Sequence, residues 1–152
     1  MSETESRRIV MTGNYQHTID AKGRLFLPAK VRKYFEGETV YVAPGFGDYV
    51  MILPGQVYYS LMDELDKIPN HKQRDDLRSF FSGNTSECEL DGQGRIVIPL
   101  HFKEWFGLEK DVTVVGTGKR LEVWAPEKWK EHNSRFNMGA IRDILEVNNF
   151  MF

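Results

Sequence analysis

Two short stretches of this 152-residue chain each set a carboxylate and a guanidinium four residues apart across a tight turn. The first reads Asp20-Ala21-Lys22-Gly23-Arg24-Leu25-Phe26-Leu27-Pro28; the second, 71 residues further on, reads Asp91-Gly92-Gln93-Gly94-Arg95-Ile96-Val97-Ile98-Pro99. Such a turn brings both side chains to one tip, where the carboxylate can hold the guanidinium in a fixed direction. A fixed, planar, five-donor cation suits phosphate oxygens or the edge of a guanine. The local alternative is that Asp caps the turn, Arg pairs with it, and the pair only stabilises a hairpin. For the aspartates both uses stay open, whereas the surroundings of Arg24 favour binding.

Those surroundings are basic. From Gly13 to Phe35, Lys22, Arg24, Lys30, Arg32 and Lys33 stand against Asp20 alone, a local charge of +4. The matching stretch from Gly83 to Phe106 sets Arg95 and Lys103 against Glu87, Glu89, Asp91 and Glu104, a local charge of -2. Only the first is suited to a polyanion, where each neutralised phosphate releases counterions. The candidate DNA contacts are Asp20, Lys22, Gly23 and Arg24 in the first turn, Asp91 and Arg95 in the second, and Lys30 and Arg32 behind the first. Taken singly, Lys30, Arg32 and Lys33 also fit an ordinary solvated helix face. The charge contrast predicts that Arg24 meets DNA while Arg95 mainly holds its own hairpin.

Other chemistry has little support. No paired general acid and base, nucleophile motif or metal constellation emerges, so an enzyme is not expected, and no cofactor, metal or small-molecule substrate is implied. Gly116-Thr117-Gly118-Lys119-Arg120 lacks the spacing of a phosphate loop and fits a hairpin turn. His17, His71, His101 and His132 have no ligand spacing, and His17 and His101 are expected on strand or helix surfaces. Trp105, Trp124 and Trp129 fall at core positions. The single cysteine, Cys88, excludes an internal disulfide framework and fits a reducing compartment. The first residues do not read as a signal peptide, and no apolar run is long enough for a membrane span, so a cytoplasmic location is expected. A net charge of -2 means that any preference for nucleic acid must come from local charge.

The elements that must position the turns are themselves duplicated. Val31, Tyr34 and Phe35 after the first turn match Phe102, Trp105 and Phe106 after the second. Val40 to Val42 then matches Val112 to Val114, and Pro54 matches Pro126. One small unit is used twice. Residues 1–10 are polar and aperiodic, which predicts a disordered arm; the repeats span 11–82 and 83–152. In the first, a strand over Tyr15–Ile19 turns at Ala21-Lys22-Gly23 into a return strand over Leu25–Leu27. Pro28 then opens a helix with Val31, Tyr34 and Phe35 on one face. A hairpin over Thr39–Ala43 and Tyr49–Leu53 follows, then a helix carrying Val57, Leu61, Leu65 and Ile68 inward, then a helix over His71–Phe81. The second repeat has strands at Val112–Val115 and Leu121–Trp124 and helices over Pro126–Phe136 and Ile141–Val147. Isolated hairpins are marginal in water, which predicts that the halves interleave their strands around a shared core with a pseudo-two-fold axis. The fold class is α+β.

The nine-residue turn resembles the AbrB-type swapped-hairpin DNA-binding motif. The duplication is similar to the MraZ family, with Phe80-Phe81-Ser82-Gly83 before the second copy and Gly107-Leu108, Trp124 and Trp129 after it. The resemblance spans roughly residues 11–147. It implies a duplicated swapped-hairpin β-barrel with peripheral helices. It further implies a nucleoid-associated transcriptional regulator assembled as a homo-oligomeric ring, controlling the division and cell-wall gene cluster that includes its own gene. Family members bind promoter repeats of double-stranded DNA through Asp-x-x-x-Arg loops, here Asp20 to Arg24 and Asp91 to Arg95. The second loop departs from the pattern, since Gly92 and Gln93 leave no lysine. The alternative reading is an antitoxin-like interaction module, as in single-copy relatives.

Overall fold

A computed structural model of the protein describes residues 8–151. Eight strands are β1 (Asn14–Thr18), β2 (Arg24–Phe26), β3 (Val40–Pro44), β4 (Val50–Pro54), β5 (Ser86–Cys88), β6 (Arg95–Val97), β7 (Asp111–Gly116) and β8 (Leu121–Trp124). The helices are α1 (Gly55–Asp66), α2 (His71–Asn84), α3 (Leu100–Trp105), α4 (Pro126–Ser134) and α5 (Met138–Val147), with a 3₁₀ helix over Ala29–Tyr34. The architecture is mixed α+β, with antiparallel pairing throughout.

Six strands form one sheet in the order β1-β7-β8-β4-β3-β5, and β2 pairs with β6 in a separate ribbon. Exchanging the two copies reads the same order backwards. The first strand of each repeat leaves its own turn and pairs with the other repeat, β1 with β7 and β5 with β3. The expected hairpin between Tyr15–Ile19 and Leu25–Leu27 therefore survives only at its tip. A lone bridge joins Ile19 to Leu25, and beyond it the strands diverge. The cause lies in the burial. Leu25 and Ile96 are fully withdrawn from solvent beneath the ribbon, which a free two-stranded hairpin cannot achieve.

The central strands are apolar on both faces because both are covered. Val40, Val42, Val50, Ile52, Val112, Val114, Leu121 and Val123 join Leu25, Leu27, Ile96, Ile98, Phe35 and Phe102 in one core. The alternate residues Tyr41, Met51, Leu53 and Trp124 pack on the other face with Tyr58, Leu65 and Phe81 from α1 and α2. Period-two alternation thus divides each strand between two cores. On α1, Leu65 is buried while Val57 and Leu61, with Ile68 just past its end, pack partly against the second core.

Four further expectations need correction. The segment after Pro28 is a 3₁₀ helix, yet it still buries Val31 and Phe35, with Tyr34 packed partly against the core. Residues 1–7 of the expected disordered arm lie outside the described residues. At Arg8–Val10 the arm is held: Ile9 packs against the first core, and the Val10 carbonyl accepts from the Tyr34 hydroxyl at 3.3 Å. Trp105 is not a core residue; it is 46% exposed and stacks on the exposed Phe80, while Trp124 is buried with Trp129 against it. His17 and His101 are half-buried rather than on the surface.

Candidate nucleic-acid interface

The two turns have almost the same internal geometry. Asp20 Oδ1 accepts from the Lys22 and Arg24 backbone N–H groups, each at 2.9 Å, and Oδ2 accepts from Arg24 Nε at 2.6 Å. Asp91 Oδ1 accepts from the Gln93 and Arg95 N–H groups at 2.9 and 2.8 Å, and Oδ2 from Arg95 Nε at 2.8 Å. The Arg24 backbone N–H does most to hold the Asp20 carboxyl below the usual carboxylate range, opposed by partial burial and aided by the Arg24 side chain. For Asp91 the Arg95 backbone N–H leads, followed by the Arg95 side chain. Each aspartate therefore stays ionised and grips its arginine by Nε alone. Among the described residues no side chain or carbonyl takes the terminal guanidinium nitrogens of Arg24 or Arg95. That leaves two terminal nitrogens on each guanidinium, oriented by the Nε grip, a form suited to bidentate contacts to guanine or phosphate.

The glycines lock the turns to each other. Gly23 and Gly94 have φ of +81° and +85°, a conformation that side chains disfavour. The Leu27 N–H donates to the Gly94 carbonyl at 2.9 Å, and the Ile98 N–H donates to the Gly23 carbonyl at 2.7 Å. Each turn thereby accepts from the strand of the other repeat. A Cβ on Gly23 would lie 2.8 Å from the Ile98 carbonyl oxygen.

The β2–β6 register brings the two loops together. Arg24 pairs with Val97, Leu25 with Ile96, and Phe26 with Arg95. With Leu25 and Ile96 pointing inward, Arg24, Phe26, Arg95 and Val97 share the outward face. Phe26 and Val97 are 43% and 48% exposed. The Arg95 guanidinium sits 5.7 Å from the Phe26 ring centroid and that of Arg32 sits 6.0 Å from it, within cation–π range.

Arg32 does not stay with the first loop. Its Nε donates to the Leu27 carbonyl at 2.9 Å, and its guanidinium lies against Gly94, where a Cβ would come within 2.6 Å of Nε. Lys22 is exposed at the first tip, and Lys30 is exposed on the 3₁₀ helix. The contrast of +4 and -2 along the sequence is therefore not kept in space, because a cation counted with the first loop sits beside the second. Burial and then the Arg32 charge lower the His17 pKa, keeping that imidazole neutral near this face. Beyond the second loop the surface turns acidic, with Glu36, Glu38 and Glu89 lining the cleft next to Asp91. Cys88 is partly buried in β5, and burial raises its thiol pKa. Phe26 and Val97 escaped the sequence reading. Their only signal was position, two residues after each arginine on a short strand.

Both halves of the chain, at residues 10–81 and 80–143, match the family described as "MraZ protein, putative antitoxin-like". The chain belongs to the MraZ family. Three relatives, each named Transcriptional regulator MraZ, are similar over most of both chains. The protein of Heliobacterium modesticaldum is 41% identical over 125 residues, 81% of this chain and 86% of its own. That of Lachnoclostridium phytofermentans is 37% identical over 133 residues, 88% and 93% of the two chains. That of Caldanaerobacter subterraneus is 33% identical over 144 residues, 93% and 99%. Two turns of nearly equal geometry accord with an MraZ-family match that recurs in each half. Among the described residues no helix is long and apolar enough to cross a membrane.

Proposed function

We propose that this chain is a sequence-specific DNA-binding regulator of transcription that reads duplex DNA with the outward face of the β2–β6 ribbon. The observation that carries the reading is the pair of arginine forks, each held by Nε on an ionised aspartate, on one face of one ribbon. A two-stranded ribbon fits the major groove, and outward arginines there take guanine edges. Lys22 and Lys30 flank the face and neutralise phosphates. The strands exchanged between residues 11–82 and 83–152 support reading the fold as a duplicated swapped-hairpin barrel of the AbrB type.

One ribbon makes few contacts, so a single copy binds weakly. Affinity then comes from several copies engaging several promoter repeats at once, where linkage raises effective concentration. A ring-shaped homo-oligomer in the cytoplasm, acting at the nucleoid on the division and cell-wall cluster that includes its own gene, meets that need. Apolar side chains exposed among the described residues, among them Met138, Ile144 and Val147, support assembly. The test is a fluorescence-anisotropy titration on the promoter region of its own gene and on a shuffled duplex, with light scattering on the same sample. Preference for the promoter and a mass several-fold above 17.7 kDa are expected. Equal affinity for both duplexes, or a clean monomer, would overturn the reading.

A further inference from the structure

The arginines account for guanine and phosphate contacts, but they leave unexplained why the same face exposes two apolar side chains between them. Phe26 stands opposite Arg95 and Val97 opposite Arg24, on a ribbon whose inward residues already fill the core. Phe26 is held there: the Arg32 and Arg95 guanidinium groups lie 6.0 and 5.7 Å from its ring centroid. Arg32 is fixed in turn by the Leu27 carbonyl, and Arg95 by Asp91. A rigid, half-exposed aromatic ring flanked by cations gains nothing from a phosphate backbone, which presents only charge and polar oxygens. In the major groove the one apolar group at a base edge is the thymine 5-methyl.

We propose that Phe26, with Val97 as its smaller counterpart across the pseudo-two-fold, reads thymine methyl groups in the major groove and so sets the base preference beside the arginine contacts. This inference rests on the DNA-binding reading above and extends it from affinity to specificity. The two residues differ in size, so the ribbon presents a larger apolar contact beside Arg95 than beside Arg24. The face therefore favours an asymmetric element over a palindrome.

The experiment starts from a random-sequence duplex pool enriched by the wild-type protein, because no operator needs to be assumed. The enriched duplex is then made with thymine or with uracil at each thymine position in turn, which removes only the 5-methyl. Wild type should bind about fourfold more weakly for each methyl it contacts, the loss expected for one buried methyl-sized group. Phe26→Ala should bind the thymine and uracil duplexes alike at the position it reads. Thermal melting of Phe26→Ala checks the fold, and the wild-type comparison stands whatever that variant does. Wild-type affinity that ignores uracil at every position overturns the proposal. So does a Phe26→Ala variant that weakens binding but keeps the wild-type thymine preference at every position, since Phe26 would then only hold the arginines. Loss of affinity in Phe26→Ala with no methyl dependence in either protein, as expected if the ring inserts between base steps, also counts against it. A pool that yields no enriched duplex overturns the DNA reading itself.

Discussion

Removing the arginine forks one at a time separates the two parts played by each loop. In Arg24→Ala the lost group is a guanidinium held 2.6 Å from Asp20, with a side chain 34% exposed; in Arg95→Ala it is held 2.8 Å from Asp91 and 19% exposed. Solvent screens the Arg24 pair more than the Arg95 pair, which also packs on Phe26, and Leu25 and Ile96 beneath them are untouched. Melting temperature should therefore barely change in Arg24→Ala and fall slightly in Arg95→Ala, with oligomer mass kept in both. Binding should change much more. A bidentate base contact is worth about 1–3 kcal/mol, which is about 5- to 150-fold in affinity for each engaged ribbon. Arg24→Ala should fall toward the upper end, because Lys22 beside it concentrates phosphate contacts at that tip. Arg95→Ala should lose less, since Gln93 replaces the lysine and only Arg32 supplies charge nearby. Arg24 and Arg95 occupy diagonal positions of an antiparallel pair, about 7–8 Å apart, where separate effects come close to adding. The double variant should therefore lose roughly the product of the single losses. Parallel anisotropy titrations, melts and mass measurements at one salt concentration decide it. If Arg24→Ala binds as wild type with native mass, the ribbon face does not read DNA. If the double variant is no weaker than Arg24→Ala alone, the second loop does not engage.

Three further outcomes are expected. Gly23→Ala should lower the melting temperature and reduce binding together, because a left-handed backbone costs a side chain about 1–2 kcal/mol and the new Cβ would crowd the Ile98 carbonyl oxygen at 2.8 Å; a stable, fully active variant would show that the turns do not depend on this contact. The His17 pKa is lowered by burial and by Arg32, so the unfolded chain takes up its proton first. Stability should fall as pH drops through the ordinary histidine range and level off below the depressed folded value. His17→Gln should flatten that part of the curve in melts at successive pH values, while the depressed carboxyls of Asp20 and Asp91 keep both turns ionised throughout. Affinity should fall steeply with salt, and Lys22→Ala should reduce the slope of log affinity against log salt by about 0.9 for each phosphate contact removed; an unchanged slope would place Lys22 away from the DNA.

Much of this protein is written in its order of residues. The repeated Asp-x-x-Gly-Arg-x-x-x-Pro fixes both turns, because the aspartate hydrogen bonds and the positive-φ glycine are satisfied within five residues. The apolar runs of β3, β4, β7 and β8 and the spacing of Val57, Leu61 and Leu65 on α1 announce their elements for the same local reason. Partner choice was decided elsewhere. Nothing local says that β1 leaves β2 for β7, since a three-residue strand can pair with its neighbour or with its copy; burial of Leu25 and Ile96 beneath a shared ribbon settles the choice. The 3₁₀ form of Ala29–Tyr34 and the exposure of Trp105 likewise depend on what packs above them. The site shows the same division. Asp20, Arg24, Asp91 and Arg95 were legible as chemistry, but only the ribbon register set the two arginines on one face with Phe26 and Val97 between them. It was also folding that carried Arg32 from the first repeat to the second loop. Charge counted along a chain follows sequence distance, whereas the field at a surface follows distance in space.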